Sequence, residues 1–397
     1  MAILKSSSVD RDASATITSF LPEEIDLGSD LLAEIIVRLP LDSVARSRGV
    51  SKNWCAAISD GYLRRRLPLH MSMICFPDND NDDPFGGGGG SRPVFACAAE
   101  GRRLEGRDLG FFPLHERAVV CDGCNGLLLC RDPGTFDFYV VSPVTRSWAA
   151  LPRPARDARL SLLAFDPFGI GTSYPPQQHY HVINFTGWRE RGAAVEVFSS
   201  ATRAWTAHEA EFGGVAAGSL SGASLHCHDG AVYFLASDPD CVVRMDLAAG
   251  LACTVLALPD PADGEGRVAH SGGRLHYICS DGELLRVWAL EDVVQPSPAT
   301  APRQQEWRLK HAVRVGEVVE GGNDGGEVRF LAMHPEKDAV VYLWSPWKVV
   351  EYDLSKREVT GAAWEFGKGA RNRVAKTWLV PSSCYLSDGL ADGSVAR

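Results

Sequence analysis

Apolar positions recur at spacings of three and four near the start of the chain. Leu31, Leu32, Ile35, Ile36 and Leu39 share one broad face, the period of an amphipathic helix. Ser29 is placed to cap that helix, Asp30 to complement its positive end, and Pro40 to stop it. Leu41, Val44 and Ala45 begin a second short helix. Ser51 opens a third carrying Trp54, Ala57 and Ile58, and a last turn at 62–67 holds Arg64, Arg65 and Arg66. A bundle of about 40 residues is at the size where a lone core is marginal. This one has more large apolar side chains than three short helices bury among themselves. The excess predicts an exposed apolar face, the usual mark of a partner site.

The pattern then changes. After Asp78-Asn79-Asp80-Asn81-Asp82-Asp83 and the glycines Gly86 to Gly90, the chain from Val94 onward reads as short apolar runs cut by Gly, Pro, Asp and Asn. Within it, Tyr139 to Trp148 and Val195 to Trp205 repeat one design: a strand, a polar turn, then Arg-x-Trp. Val242 to Leu247 and Val349 to Leu354 are weaker echoes. Ahead of these hairpins lie Gly126 to Cys130, Gly230 to Phe234 and Gly273 to Tyr277, read as inner strands. The repeat approximates the 40–50 residues of a four-stranded blade, roughly. The fold class is therefore a small all-α bundle followed by a large all-β domain, a β-propeller of six blades or seven. Five blades are visible directly, and the first and last strands are expected to close the ring together. The expected organisation is a tail at 1–25, the bundle at 26–67, a linker at 68–92, the propeller at 93–386 and a second tail at 387–397.

Composition narrows the function. The chain has 397 residues, of which 45% are hydrophobic and 23% charged, as in an ordinary soluble protein. A net charge of −10 argues against nucleic-acid binding, which needs a basic face to displace counterions. No apolar run has the length of a membrane span or the form of a secretion signal. The 11 cysteines are odd in number and scattered through apolar runs, so they read as free thiols in a reducing compartment, cytosol or nucleus.

Candidate chemistry is thin. Cys121-x-x-Cys124 with Cys130 offers half of a zinc site and no second pair. His226 with His228, and His179 with His181, each put two imidazoles on one strand face without a third ligand. The acidic run from Asp78 has Asp83 where a calcium loop requires Gly. Gly361 to Gly369 misses the phosphate-loop spacing and its hydroxyl residue. No catalytic residue, metal or cofactor is assigned.

Residues 26–67 resemble the F-box of plant F-box proteins. The matching residues are Leu31-Leu32-Ala33-Glu34-Ile35-Ile36-Val37-Arg38-Leu39-Pro40, and then Val44 through Val50-Ser51-Lys52-Asn53-Trp54. Gly28-Ser29 and Gly49 depart from the usual pattern. The remainder is similar to F-box-associated propellers. The resemblance implies a non-catalytic substrate receptor of a ubiquitin ligase: the F-box binds a Skp-type adaptor, which leads to a cullin and a RING subunit, and the propeller holds a target protein. It implies adaptor contact by Leu31, Leu32, Ile35, Leu39, Pro40, Leu41, Val44, Val50 and Trp54. The competing reading is a propeller-based ligand binder or enzyme, lectin-like or hydrolytic, with incidental N-terminal helices.

Overall fold

A strand buried on both faces reads as an unbroken apolar run, and such runs sit at the centre of each sheet here. The computed structural model describes residues 29–39, 43–44, 47, 49–59, 69–77, 94–99, 105–106, 108–165, 179–260, 266–292, 305–314, 328–345, 348–360, 364–365 and 372–381. Helix α1 (Ser29–Arg38) and helix α2 (Lys52–Ser59) form the bundle. Ser51 begins α2 as read from sequence: its Oγ accepts the Trp54 N–H at 3.3 Å, satisfying one orphan donor of the first turn.

The rest is six sheets. Blade 1 holds β1 (Leu69–Pro77), β2 (Val94–Ala99) and β3 (Glu105–Gly106). Blade 2 follows with β4 (Val119–Cys124), β5 (Leu127–Arg131), β6 (Phe138–Ser142) and β7 (Ser147–Ala150). Blade 3 is β8 (Leu160–Phe165), β9 (Tyr180–Arg189), β10 (Gly192–Ser199) and β11 (Ala204–Glu211). Blade 4 is β12 (Leu220–His228), β13 (Ala231–Ser237), β14 (Asp240–Asp246) and β15 (Ala252–Ala257). Blade 5 is β16 (Arg267–Ser271), β17 (Arg274–Ser280), β18 (Leu284–Asp292) and β19 (Gln305–Arg314). Blade 6 is β20 (Arg329–Met333), β21 (Val340–Ser345), β22 (Lys348–Asp353) and β23 (Glu358–Val359), with β24 (Trp364–Glu365) also on β22. Finally β25 (Asn372–Pro381) returns to blade 1 and pairs antiparallel with β1, from Leu69 opposite Pro381 to Pro77 opposite Asn372.

The architecture is a six-bladed β-propeller. Strands β4, β8, β12, β16, β20 and β25 form its inner wall, each beside the next. Between adjacent blades lies one apolar core. Leu129 and Val140 meet Leu163 and Val182 between blades 2 and 3. Val195 meets Val243 between blades 3 and 4, and Tyr233 meets Tyr277 between 4 and 5. Val287 meets Val341 between 5 and 6, and Tyr342 meets Met71 between 6 and 1. Ile74 and Phe95 meet Leu128 and Val141 between 1 and 2, completing the circle.

The repeated hairpins carry a local signature. Arg146 and Arg203, the Arg of each Arg-x-Trp, take φ +54° and +55°, the left-handed turn that sends the chain into the outermost strand. Tryptophans on the outermost strands of blades 3 and 5 latch each blade to the one before it. Trp205 Nε1 donates to Pro152 O at 2.7 Å, and Trp307 Nε1 to Ala257 O at 2.8 Å. In the weaker echoes the turn is capped by aspartate: Asp353 Oδ1 accepts the Ser355 and Lys356 N–H groups, both at 2.9 Å.

Two expectations are corrected. Gly126, Gly230 and Gly273 are turn residues, and the segments that follow them, Leu127 to Cys130, Ala231 to Phe234 and Arg274 to Tyr277, lie in β5, β13 and β17, the second strands of their blades rather than the innermost. Residues 69–77, read as linker, are β1, with Met71, Ser72, Met73 and Ile74 all buried. The acidic, glycine-rich stretch falls between β1 and β2 and lies outside the described residues; so do both tails and residues 361–363 and 366–369 of the rejected phosphate loop.

Candidate functional site

The bundle has a small core of its own: Leu32, Ala33 and Ile36 of α1 against Val44 and Ile58, with Leu39 and Trp54 packed at its edge. Leu32 and Ile36 are one turn apart on the same side of α1. Leu31 and Ile35 form the adjacent stripe, turned away from that core by about 100°. The nine residues carried over by resemblance therefore divide. Leu32 and Val44 fill the bundle's interior, Ile35, Leu39 and Trp54 are half-buried, and Leu31 and Val50 stand 55% and 66% exposed. Pro40 and Leu41 lie outside the described residues. Leaving a leucine in water forgoes about 1.5–3 kcal/mol of burial. Leu31 and Val50 are two such side chains on a small bundle.

The propeller offers a second region, its inner wall. Where the ring closes, Lys376 of β25 donates from Nζ to Asp122 Oδ1 of β4, and Asp122 Oδ2 accepts the Leu163 N–H of β8 at 2.8 Å. Burial works to lower the Lys376 pKa, but the Asp122 carboxylate outweighs it and holds it above the ordinary value. Beside them Cys124 donates to Phe165 O at 3.3 Å, and Cys227 of β12 donates to Leu163 O at 3.7 Å. Contact with the Cys124 thiol and burial push the Cys227 thiol well up. Burial likewise pushes Cys121 up to about 11 and Cys130 up to about 12, so neither is a ready thiolate near neutrality.

His226 and His228 do lie together on β12. Sequence reasoning missed the third ring, His270 of β16 in the next blade. His226 Nε2 and His270 Nδ1 share a hydrogen bond of 2.8 Å, and the His228 and His270 ring centroids stack 3.9 Å apart. Nearly parallel stacked rings cannot direct their nitrogens at one ion. Among the described residues, no group of three His, Cys, Asp or Glu side chains is arranged to hold a metal. Burial pushes His226 down to about 3 and His270 lower still, the second also repelled by its neighbours His226 and His228.

The described chain thus holds a helical bundle with Leu31 and Val50 exposed, followed by a closed six-bladed ring. Residues 25–66 match the F-box domain, and residues 111–373 match the family described as F-box protein At3g26010-like, beta-propeller. The chain belongs to that family: it is a plant F-box protein with a C-terminal propeller. The F-box/kelch-repeat protein At1g15680 of Arabidopsis thaliana is 26% identical over 371 residues, covering 85% of this chain and 83% of its own length. F-box protein At3g26010 of the same plant is 24% identical over 375 residues, covering 85% and 80%. Among solved structures, a chain of a nidogen/laminin complex overlaps 79% of this chain and 99% of itself, with a TM-score of 0.42 and 9% identity, too distant to carry an argument.

Proposed function

We propose that the chain is the substrate receptor of an SCF-type ubiquitin ligase. Its F-box packs on a Skp-type adaptor, through which a cullin and a RING subunit are reached, and its propeller holds a target protein. The chain performs no bond-making in this reading. It raises the local concentration of target lysines near a charged ubiquitin-conjugating enzyme, and that proximity is its contribution. The observation that carries the reading is the exposed Leu31 and Val50 on a matched F-box whose own core is already filled. The eight free cysteines among the described residues support work in the cytosol or nucleus.

The test is a binding measurement between the purified full chain and a plant Skp-type adaptor. Leu31→Asp is expected to weaken binding by about thirtyfold or more, as loss of an apolar anchor worth about 2 kcal/mol does, while the melting temperature of the propeller stays unchanged. Equal adaptor affinity of Leu31→Asp and wild type removes Leu31 from the interface. No adaptor binding by the folded wild-type chain removes the receptor reading altogether.

A further inference from the structure

Resting on the reading of the propeller as the part that holds the target, we infer where it does so and in what form. Blade 4 takes an extended, uncharged stretch of the target as a fifth strand along the outer edge of β15. Proteins guard an exposed edge with charge, proline or shortness, because its unpaired backbone is a template for another strand. The other blades follow that rule. β3, β23 and β24 have two residues each, and β7 has four. β11 carries Glu209 and Glu211, and β19 carries Glu306, Arg308, Lys310 and Arg314. β15 has six residues and no charge, and no charged residue occurs anywhere between Asp246 and Asp260.

The ladder fixes which groups are left open. β15 pairs with β14 alone, from Cys241 opposite Ala257 to Asp246 opposite Ala252. Leu258 N–H donates to Asp240 O at 3.1 Å, one step beyond that register. The alternation of an antiparallel pair then turns the N–H and C=O groups of Ala252, Thr254 and Leu256 toward β14, and those of Cys253, Val255 and Ala257 outward. Ala257 O agrees with this phase, since it accepts Trp307 Nε1 of blade 5 at 2.8 Å. The outward groups of Cys253 and Val255, and the Ala257 N–H, meet no partner among the described residues. Ala252, Thr254, Val255 and Ala257 are exposed. The strand is nonetheless held in place. Leu256 packs on the core between blades 4 and 5, Cys253 on the core between blades 3 and 4, and Val255 lies against Gly213. Such an edge is already ordered for pairing, which lowers the cost of binding.

The open row selects its occupant. Outward donors and acceptors on alternate residues fit an extended backbone, the mode in which a peptide adds a strand to a sheet. The exposed side chains beside them, Thr254 and Val255, favour β-branched and other uncharged neighbours across the new pair. Charges around the strand are mostly paired with one another. Glu211, close to Cys253, meets Arg189 at 3.1 Å, Asp246 meets Arg244 at 2.9 Å, and Asp260 meets Arg286 at 3.8 Å, while Asp240 stands at one end. The edge therefore matches an uncharged segment rather than an acidic or basic one. Two rigid propellers touching by six-residue edges fall short of the roughly 1,000 Å² that a stable interface buries. An extended segment, by contrast, lies along the strand and against both its flanks.

The probe is a fluorescein-labelled peptide alternating threonine and valine, with a neutral polyethylene glycol tail for solubility, titrated with the full chain by fluorescence anisotropy. The control is the same peptide N-methylated throughout, which keeps the side chains and loses every backbone donor. Saturable binding of the first is expected, about tenfold or more tighter than the second. Val255→Pro removes an outward N–H and no ladder bond, and should cost about tenfold. Thr254→Lys keeps every ladder bond and sets a guarding charge on the edge, and should cost several-fold while melting as wild type does. Amide exchange at Cys253 and Val255 should slow when the peptide is added, and at Thr254 and Leu256 stay the same. Absence of saturable binding, equal binding of the two peptides, insensitivity to both variants, or unchanged exchange each overturns the assignment. A chain that sediments as a dimer, and as a monomer once Thr254→Lys is made, gives the edge to a second copy and overturns it too. Adaptor affinity measured on the same proteins separates the two readings. Peptide binding without adaptor binding sinks only the ligase role, and the reverse sinks only the edge.

Discussion

Lowering the pH from 7 to 5 favours the unfolded chain through two histidines at the seam between blades 4 and 5. His226 and His270 are half-buried there in mutual contact, both pushed below the ordinary 6.5, His226 to about 3. In the unfolded chain each takes up a proton near pH 6.5, and in the folded chain neither does. Stability from these groups is therefore fully present above 6.5 and is lost as the pH falls toward the folded values. At pH 5 the gap is 1.5 units, which at about 1.36 kcal/mol per unit is about 2 kcal/mol for each ring, and up to about 4 kcal/mol for both. His181, His276, His311 and His334 are also pushed down by burial and steepen the same slope. The measurement therefore compares wild type with a His226→Gln, His270→Gln double variant, which keeps hydrogen-bonding side chains and removes two titrations. Melting followed by tryptophan fluorescence should show wild type falling further between pH 7 and 5 than the variant does. At roughly 2 °C per kcal/mol for a domain of this size, the difference is about 4–8 °C. Equal falls for the two proteins would refute the claim that these rings are kept neutral by the fold.

The ring closure yields two further predictions. Lys376→Ala leaves the Asp122 carboxylate uncompensated on the inner wall and should cost about 3–5 kcal/mol of stability, read as a fall in melting temperature. Adding Asp122→Asn should recover most of it, and an unchanged melt for Lys376→Ala alone would mean the pair contributes nothing. Gly123→Ala places a methyl 2.7 Å from Trp378 and 3.0 Å from Ile74, across the joint between blades 1 and 2. Such overpacking should cost about 1–3 kcal/mol by the same measurement, while leaving adaptor binding intact.

How far the sequence is legible depends on how local each feature is. The helical face of α1, the Ser51 cap and the hairpins ending in Trp148 and Trp205 are written within a dozen residues each, and all appear where the pattern placed them. The innermost strands are harder to read. They line the inner wall and carry polar groups such as Asp122, His226 and Lys376, so the most apolar runs belong to the second strands, buried on both faces between neighbouring blades. β1 is obscured for another reason: a long acidic and glycine-rich stretch separates it from the rest of its own sheet. Pairings such as Asp122 with Lys376, 254 residues apart, have no local signature at all. His270 likewise joins His226 only because consecutive blades pack face to face. The F-box motif marks the module but does not divide its apolar residues into those that fill the bundle and those that leave it. That division needed α1 set against Val44 and Ile58.

The pairing of β25 with β1 also sets a condition on biosynthesis. Blades 2 to 6 can each assemble from residues already made, whereas blade 1 waits for its inner strand until all five of the others have been made. Bringing chain ends together over some 300 residues costs about 5 kcal/mol of loop entropy, which the β1–β25 ladder and the cores on either side must offset at a single stroke. Until then β1 presents an unpaired edge and a bare apolar face to the nascent-chain environment. A transcript that ends translation before residue 372 yields a product missing ten residues of strand and with them the closed ring, and the cell's own quality control would treat it as a client for disposal.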